Sequence, residues 1–196
     1  MLLTLRFFAR VLRRATTAVM SFRARRQGQD FEADLALFCQ EMVFGRARRE
    51  LVFAECKTYN RFTTKDVDRM DCIARSFPGA IIVFATLNEQ LSQKEIRLLS
   101  PLARRGRRFW RDGRSHNPVL VLTGTELFAD QGVQRSWKKR GGKHEAFANK
   151  HRLITGLVRL CDLTQQLYLD MPSFDQRHEE RWQQRKLVPE KRRTAT

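Results

Sequence analysis

Glu55-Cys56-Lys57 lies inside the apolar run Leu51-Val52-Phe53-Ala54-Glu55-Cys56-Lys57-Thr58-Tyr59, and a second apolar run, Phe31 to Cys39, carries Asp34 in its middle. Carboxylates and ammonium groups are costly to bury unless they are paired. Two strand-length apolar segments that each accept charge must therefore bring those charges together or supply them with a ligand. Residues i and i+2 of a strand project to one face. Glu55 and Lys57 thus point together, with Ala54 and Cys56 on the opposite side. On the other segment Glu32 and Asp34 share a face, and Leu35 and Leu37 take the other. A hairpin of strands at about 31–39 and 50–59, closed by a polar, Arg-rich loop around Gly45, sets Asp34 opposite Glu55.

The segments around this hairpin alternate in type. Residues 1–27 read as a basic N-terminal helix, with Leu5, Phe8, Leu12, Ala15 and Val19 on one face and seven arginines between Arg6 and Arg26. After the hairpin, Thr63 and Asp66 form a capping box. Val67, Met70, Ile73 and Ala74 give the helix at 64–76 its apolar face, and Pro78-Gly79 stops it. Ala80 to Thr86 and Pro118 to Thr123 are uniformly apolar, as strands covered on both faces are. Between them Ser92 and Glu95 open another helix, and Pro101 reads as the first position of a second segment. Thr123-Gly124-Thr125-Glu126 reads as a strand-to-helix turn, and 144–170 as one long amphipathic helix. The expected fold is α/β, a central mixed sheet flanked by helices. Its core spans 28–130, followed by a basic loop and C-terminal helix over 131–175 and a charged, disordered tail over 176–196.

Charge narrows the partners. The chain has 196 residues with 38 Lys+Arg against 21 Asp+Glu, a net charge of +17. An excess of that size attracts polyanions, of which nucleic acid is the commonest. Residues 103–114 hold six arginines beside Phe109 and Trp110, and residues 135–143 hold five basic residues beside Trp137. Guanidinium forks grip phosphate. Arg104, Arg105, Arg107, Arg108, Arg111, Lys138, Lys139 and Arg140 are the candidate nucleic-acid contacts, set against the plainer reading of solvated loops with the tryptophans in the core. Cys39, Cys56, Cys72 and Cys161 form no CxxC pair, and their placement suits reduced core thiols in a cytoplasmic protein. The Arg-rich N-terminus also admits organelle targeting. No run of 18 apolar residues is present to span a membrane.

Two carboxylates in a dry place repel unless a cation lies between them. Mg²⁺ takes one or two carboxylates together with water and phosphate oxygens. Asp34, Glu55 and the backbone carbonyl of Cys56 would supply such a set, with Glu32 as a further candidate on the Asp34 face and Lys57 beside them to orient or deprotonate water or to neutralise charge at a phosphoryl group. A bare Glu-x-Lys arises on the order of once in a chain of this length, each type making up roughly 6% of ordinary sequence. Its weight comes from the preceding strand with Asp34 and the helix-strand unit that follows.

Glu32-Ala33-Asp34-Leu35-Ala36-Leu37 followed by Leu51-Val52-Phe53-Ala54-Glu55-Cys56-Lys57-Thr58 resembles the core of the PD-(D/E)xK superfamily, the restriction-endonuclease-like nucleases that include Mrr-type enzymes and Holliday-junction resolvases. The resemblance covers about residues 28–90. It implies a restriction-endonuclease-like core and a metal-dependent endonuclease hydrolysing DNA, with Asp34 and Glu55 as metal ligands and Lys57 as the catalytic lysine. Mg²⁺ is the implied cofactor, with Mn²⁺ as a substitute. A homodimer is the implied means of cutting two strands, and RNA remains open as substrate. Ala33 stands where proline often precedes the acid, and residues 1–29 contain no acid where a first helix often supplies one. A noncatalytic nucleic-acid-binding module of the same fold is the alternative.

Overall fold

A long hairpin and two strand-helix crossovers build the molecule. The computed structural model describes residues 1–12, 15–26, 28–43, 46–107, 116–130, 132–151, 154 and 156–174. Its elements begin with α1 (Leu2–Arg6), extended by a π-helical turn at Phe7–Val11, then β1 (Ala15–Arg26), β2 (Gln29–Val43) and β3 (Arg46–Lys57). Next come α2 (Thr64–Ser76), β4 (Ile81–Thr86), α3 (Gln93–Gly106) and β5 (Val119–Leu122). Four helices follow: α4 (Gly124–Leu127), α5 (Val133–Arg140), α6 (Gly142–Lys150) and α7 (Gly156–Leu169). The five strands form one sheet in the order β1-β2-β3-β4-β5, antiparallel from β1 to β3 and parallel from β3 to β5. This mixed sheet with flanking helices is the α/β architecture expected.

β4 and β5 are buried along their whole length, as their unbroken apolar sequences require. β5 is an edge strand, and α7 closes that edge with side chains. Thr164 Oγ1 accepts the Val121 N–H at 3.3 Å, and Gln165 donates to the Val119 carbonyl. Two backbone groups of the β5 edge are thereby satisfied without a sixth strand.

The N-terminal reading needs correction. Residues 15–26 form β1, the opposite edge strand, and not the second half of a helix. Thr16, Thr17 and Val19 are β-branched and favour a pleated strand. The 15 residues of β2 also offer a long row of backbone groups to a partner. The sheet therefore begins well before residue 28. The β1–β2 ladder skips the pair Ser21/Asp34, and Ser21 takes φ +52°. β2 pairs with β3 only from Leu35 onward. Beyond that break the hairpin tip lies against α2, where Phe31 meets Phe77 and Phe22 and Phe77 both meet Phe53.

Three more readings change. Pro101 sits inside a continuous α3, where the Ser100 hydroxyl bonds the Ile96 carbonyl, so no new segment starts there. Residues 133–140 of the expected basic loop form α5, which buries Trp137 completely. The single helix expected over 144–170 is split into α6 and α7, with Gly156 at φ +84° opening the second. Such a φ strains any residue with a Cβ. The hairpin loop at Gly45 and the tail over 176–196 lie outside the described residues.

Candidate active site

β3 presents Glu55 and Lys57 to α2, and the capping box of α2 aims an acid back at them. Thr63 accepts from the Asp66 N–H, while Asp66 Oδ2 accepts from both the Thr63 N–H and its hydroxyl at 2.8 Å. Asp66 Oδ1 is left to take the Lys57 ammonium at 2.9 Å. One turn on, Arg69 reaches the same group from the helix face that also buries Met70 and Ile73.

Glu55 is 1% exposed and held on both oxygens, Oε1 by Lys57 at 3.0 Å and Oε2 by Arg69 at 2.6 Å. Across the hairpin, the half-buried Asp34 accepts the Cys56 N–H on Oδ2 at 2.7 Å. That bond replaces a ladder contact at the point where β2 parts from β3. Extending the Leu35–Ala54 register by one residue sets Asp34 against Glu55, as the sequence implied. Glu32 is exposed and stands at the margin, 3.4 Å from Arg23 and 4.0 Å from Arg69. Cys56 faces the other side of the sheet, its Sγ 3.4 Å from Thr4 Oγ1 of α1.

These contacts set the protonation states. Burial pushes the Glu55 carboxyl above its ordinary value; the Asp34 charge adds to this, against the pull of Lys57 and Arg69. Burial works against the Lys57 ammonium, but Asp66 and Glu55 outweigh it and its pKa stands above the usual lysine value. Asp66, despite its burial, is held down to about 2 by Lys57 and Thr63. Lys57 is therefore a fixed cation between two acids.

Asp68 of α2 is exposed. Asp66 caps its helix as expected, but it is also buried against Lys57. Arg69 was missed altogether. Its signal was spacing, since 66, 69, 70 and 73 share one helical face, so the face that buries the helix also carries an acid and an arginine.

The basic candidates separate by environment. Lys138 and Lys139 are exposed on α5, and Arg104 is exposed on α3. Arg105 binds Asp71 at 2.5 Å and Arg140 binds Glu89. Arg108, Arg111 and Trp110 lie outside the described residues. Arg107 is not a surface contact. It is buried, donates to Gln165 and the Pro172 carbonyl, pairs with Asp162 and lies over the Phe174 ring. A guanidinium spent on fastening the C-terminal segment to α3 has no fork left for phosphate.

The donor set suits a hard cation. Asp34 and Glu55 supply carboxylate oxygens, and the Cys56 carbonyl leaves an extended residue on the same side as the N–H that Asp34 accepts. Among the described residues no group of three or more His, Cys, Asp or Glu is gathered to hold a metal. Mg²⁺ commonly keeps several waters and substrate oxygens beside one or two carboxylates.

In comparisons with known proteins, no family model and no curated protein matches the chain. Among solved structures it is similar to the MspJI restriction endonuclease, solved in complex with a 27-mer oligonucleotide, at 18% identity and a TM-score of 0.39. The match covers 76% of this chain and 30% of that one, so the chain spans under a third of that enzyme's length.

Proposed function

We propose that the chain is a metal-dependent nuclease that hydrolyses DNA phosphodiester bonds. The observation that carries this reading is the buried Glu55, held between Lys57 and Arg69 with Asp34 beside it. Asp34, Glu55 and the Cys56 carbonyl would hold Mg²⁺ or Mn²⁺. The ion, when bound, polarises a phosphoryl oxygen and acidifies water. Lys57, charged and fixed, stabilises negative charge developing on the phosphoryl oxygens. The raised lysine pKa supports this role over that of a base removing a proton from water. Asp66 and Arg69 position Lys57 and Glu55. The net charge of +17 and the exposed cations of α5, Arg135, Lys138 and Lys139, support a polyanionic substrate.

One observation favours a second reading. Both Glu55 oxygens already meet a cation, so its charge is compensated without a metal, as a noncatalytic DNA-binding module of this fold would need. Incubation of supercoiled, linear and branched DNA with Mg²⁺ or Mn²⁺ separates the two, with Lys57→Ala run beside the wild type. Cleavage lost in Lys57→Ala with DNA binding retained is the expected result. Binding by both proteins with cleavage by neither would leave the module.

A further inference from the structure

Beyond the carboxyl ends of β4 and β5 lies a cavity of about 600 Å³ between the segment after β4, α4 and α5. In open α/β sheets the carboxyl ends of parallel strands are where ligands bind, and this volume falls in the usual range for small-molecule pockets. We propose that the cavity receives a single nucleotide of the substrate strand, its base on the Phe128 ring and its phosphate between Arg135 and Lys139. The proposal rests on the reading of the substrate as nucleic acid and adds a site whose wall contains neither Glu55 nor Lys57.

Charge pairing in the wall supports an anion. The two acids present are already neutralised, Glu89 by Arg140 and Asp130 by Arg6 at 2.8 Å. Arg135 and Lys139 are both exposed, and among the described residues neither meets a carboxylate. They stand on one face of α5 at i, i+4 spacing, where two cations cost stability unless something negative lies between them. The remaining wall suits a flat, partly apolar ring. Phe128 is 58% exposed, unusual for a phenylalanine that borders a cavity, and offers a stacking face. Gly124 keeps the floor low, since a Cβ there would lie 2.7 Å from the Leu87 carbonyl oxygen.

The cavity is tied to the end of β3. Leu87, part of its lining, donates its backbone N–H to the carbonyls of Lys57 and Thr58 at 3.2 and 3.1 Å. On the other side Arg6 of α1 donates to the Leu127 carbonyl and to Asp130, while Thr4 of the same helix touches Cys56. The cavity wall is thus joined, through Leu87 and α1, to the strand that carries Glu55 and Lys57.

The test is binding of 5′-deoxynucleoside monophosphates and of a short single-stranded oligonucleotide by the full chain in EDTA, read by calorimetry, with inorganic phosphate as a competitor. Phe128→Ala removes the stacking face and should weaken mononucleotide binding about 5- to 150-fold. The double variant Arg135→Ala/Lys139→Ala should weaken it by roughly tenfold or more. Lys94→Ala, which removes an exposed cation of α3 outside the cavity wall, should leave it unchanged. All three varied wall residues are exposed, so circular dichroism should report native folds. Absence of mononucleotide binding, or binding indifferent to Phe128, overturns the proposal. So does phosphate that binds as tightly as the nucleotide, which would mark a plain anion site. Phe128-dependent binding in a protein that cleaves nothing upholds the cavity while removing the nuclease reading. Cleavage by a protein whose cavity binds no nucleotide does the reverse.

Discussion

Asp66 and Lys57 link helix capping to the protonation of the site. The Asp66 pKa of about 2 in the folded protein lies below the 3.8 of the free side chain. Its stabilisation is therefore complete above about pH 4 and lost as the pH falls toward 2, a contribution of about 2 kcal/mol. Urea titrations of the wild type should show that loss, and Asp66→Asn should flatten the pH dependence while lowering stability at neutral pH. Glu55 shifts the other way. Its carboxyl holds a proton to higher pH than an ordinary glutamate, so a reaction that needs the carboxylate fails as the pH drops through a value above 4.5. Arg69→Met removes a charge that favours the ionised form. It should move the acid limb of a kcat/KM profile for DNA cleavage further upward. Arg107 behaves as a buried tether, 3% exposed against an Asp162 that is 2% exposed. Arg107→Ala should cost about 3–5 kcal/mol of stability in thermal or urea unfolding, without the selective loss of DNA affinity that a phosphate contact would give.

At the scale of elements, one device recurs. α2, α3 and α4 each begin with a capping box, Thr63/Asp66, Ser92/Glu95 and Thr123/Glu126. In each the acid is buried and takes a second partner from another element. Asp66 takes Lys57, Glu95 takes the Phe62 N–H and Arg61, and Glu126 takes the Trp137 indole and the Tyr168 hydroxyl. The caps thus lock each helix start to the element packed beside it. Removing only the capping hydroxyl with Ser92→Ala should cost about 1 kcal/mol. Glu95→Ala should cost more, because it also leaves the buried Phe62 N–H without an acceptor, a further 1–3 kcal/mol or so. Chemical denaturation of the two variants side by side checks that order. The Thr63/Asp66 and Ser92/Glu95 boxes were legible in the sequence because their signature is local, whereas Thr123 to Glu126 read only as a strand-to-helix turn. The second partners of the acids were not legible, since nothing in the order of residues announces which distant side chain will arrive.

At the scale of the whole molecule, the net charge of +17 predicts DNA binding that weakens steeply with salt, because each phosphate neutralised releases counterions. Lys138→Ala and Lys139→Ala should each reduce the slope of log affinity against log salt by about 1 if they contact phosphate. Fluorescence anisotropy over a salt series measures it. The two sheet edges differ sharply. α7 seals β5, whereas β1 leaves Val19 54% and Met20 51% exposed. No described helix is long and apolar enough to cross a membrane.

Periodicity and local signatures by themselves determined the four strands from β2 to β5, the α2 and α3 helices with their caps, and the meeting of Asp34 with the face of Glu55 and Lys57. Those features depend on neighbours within a few residues, or on an alternation that survives in any fold that buries the apolar face. Residues 15–26 satisfied both a helical stripe and a strand, and only the open edge of β2 chose between them. The same holds for Asp66, Arg69 and Arg107. Each is an ordinary charged residue until the fold buries it beside a particular partner. Burial multiplies the strength of such a contact, and burial is decided by the tertiary structure.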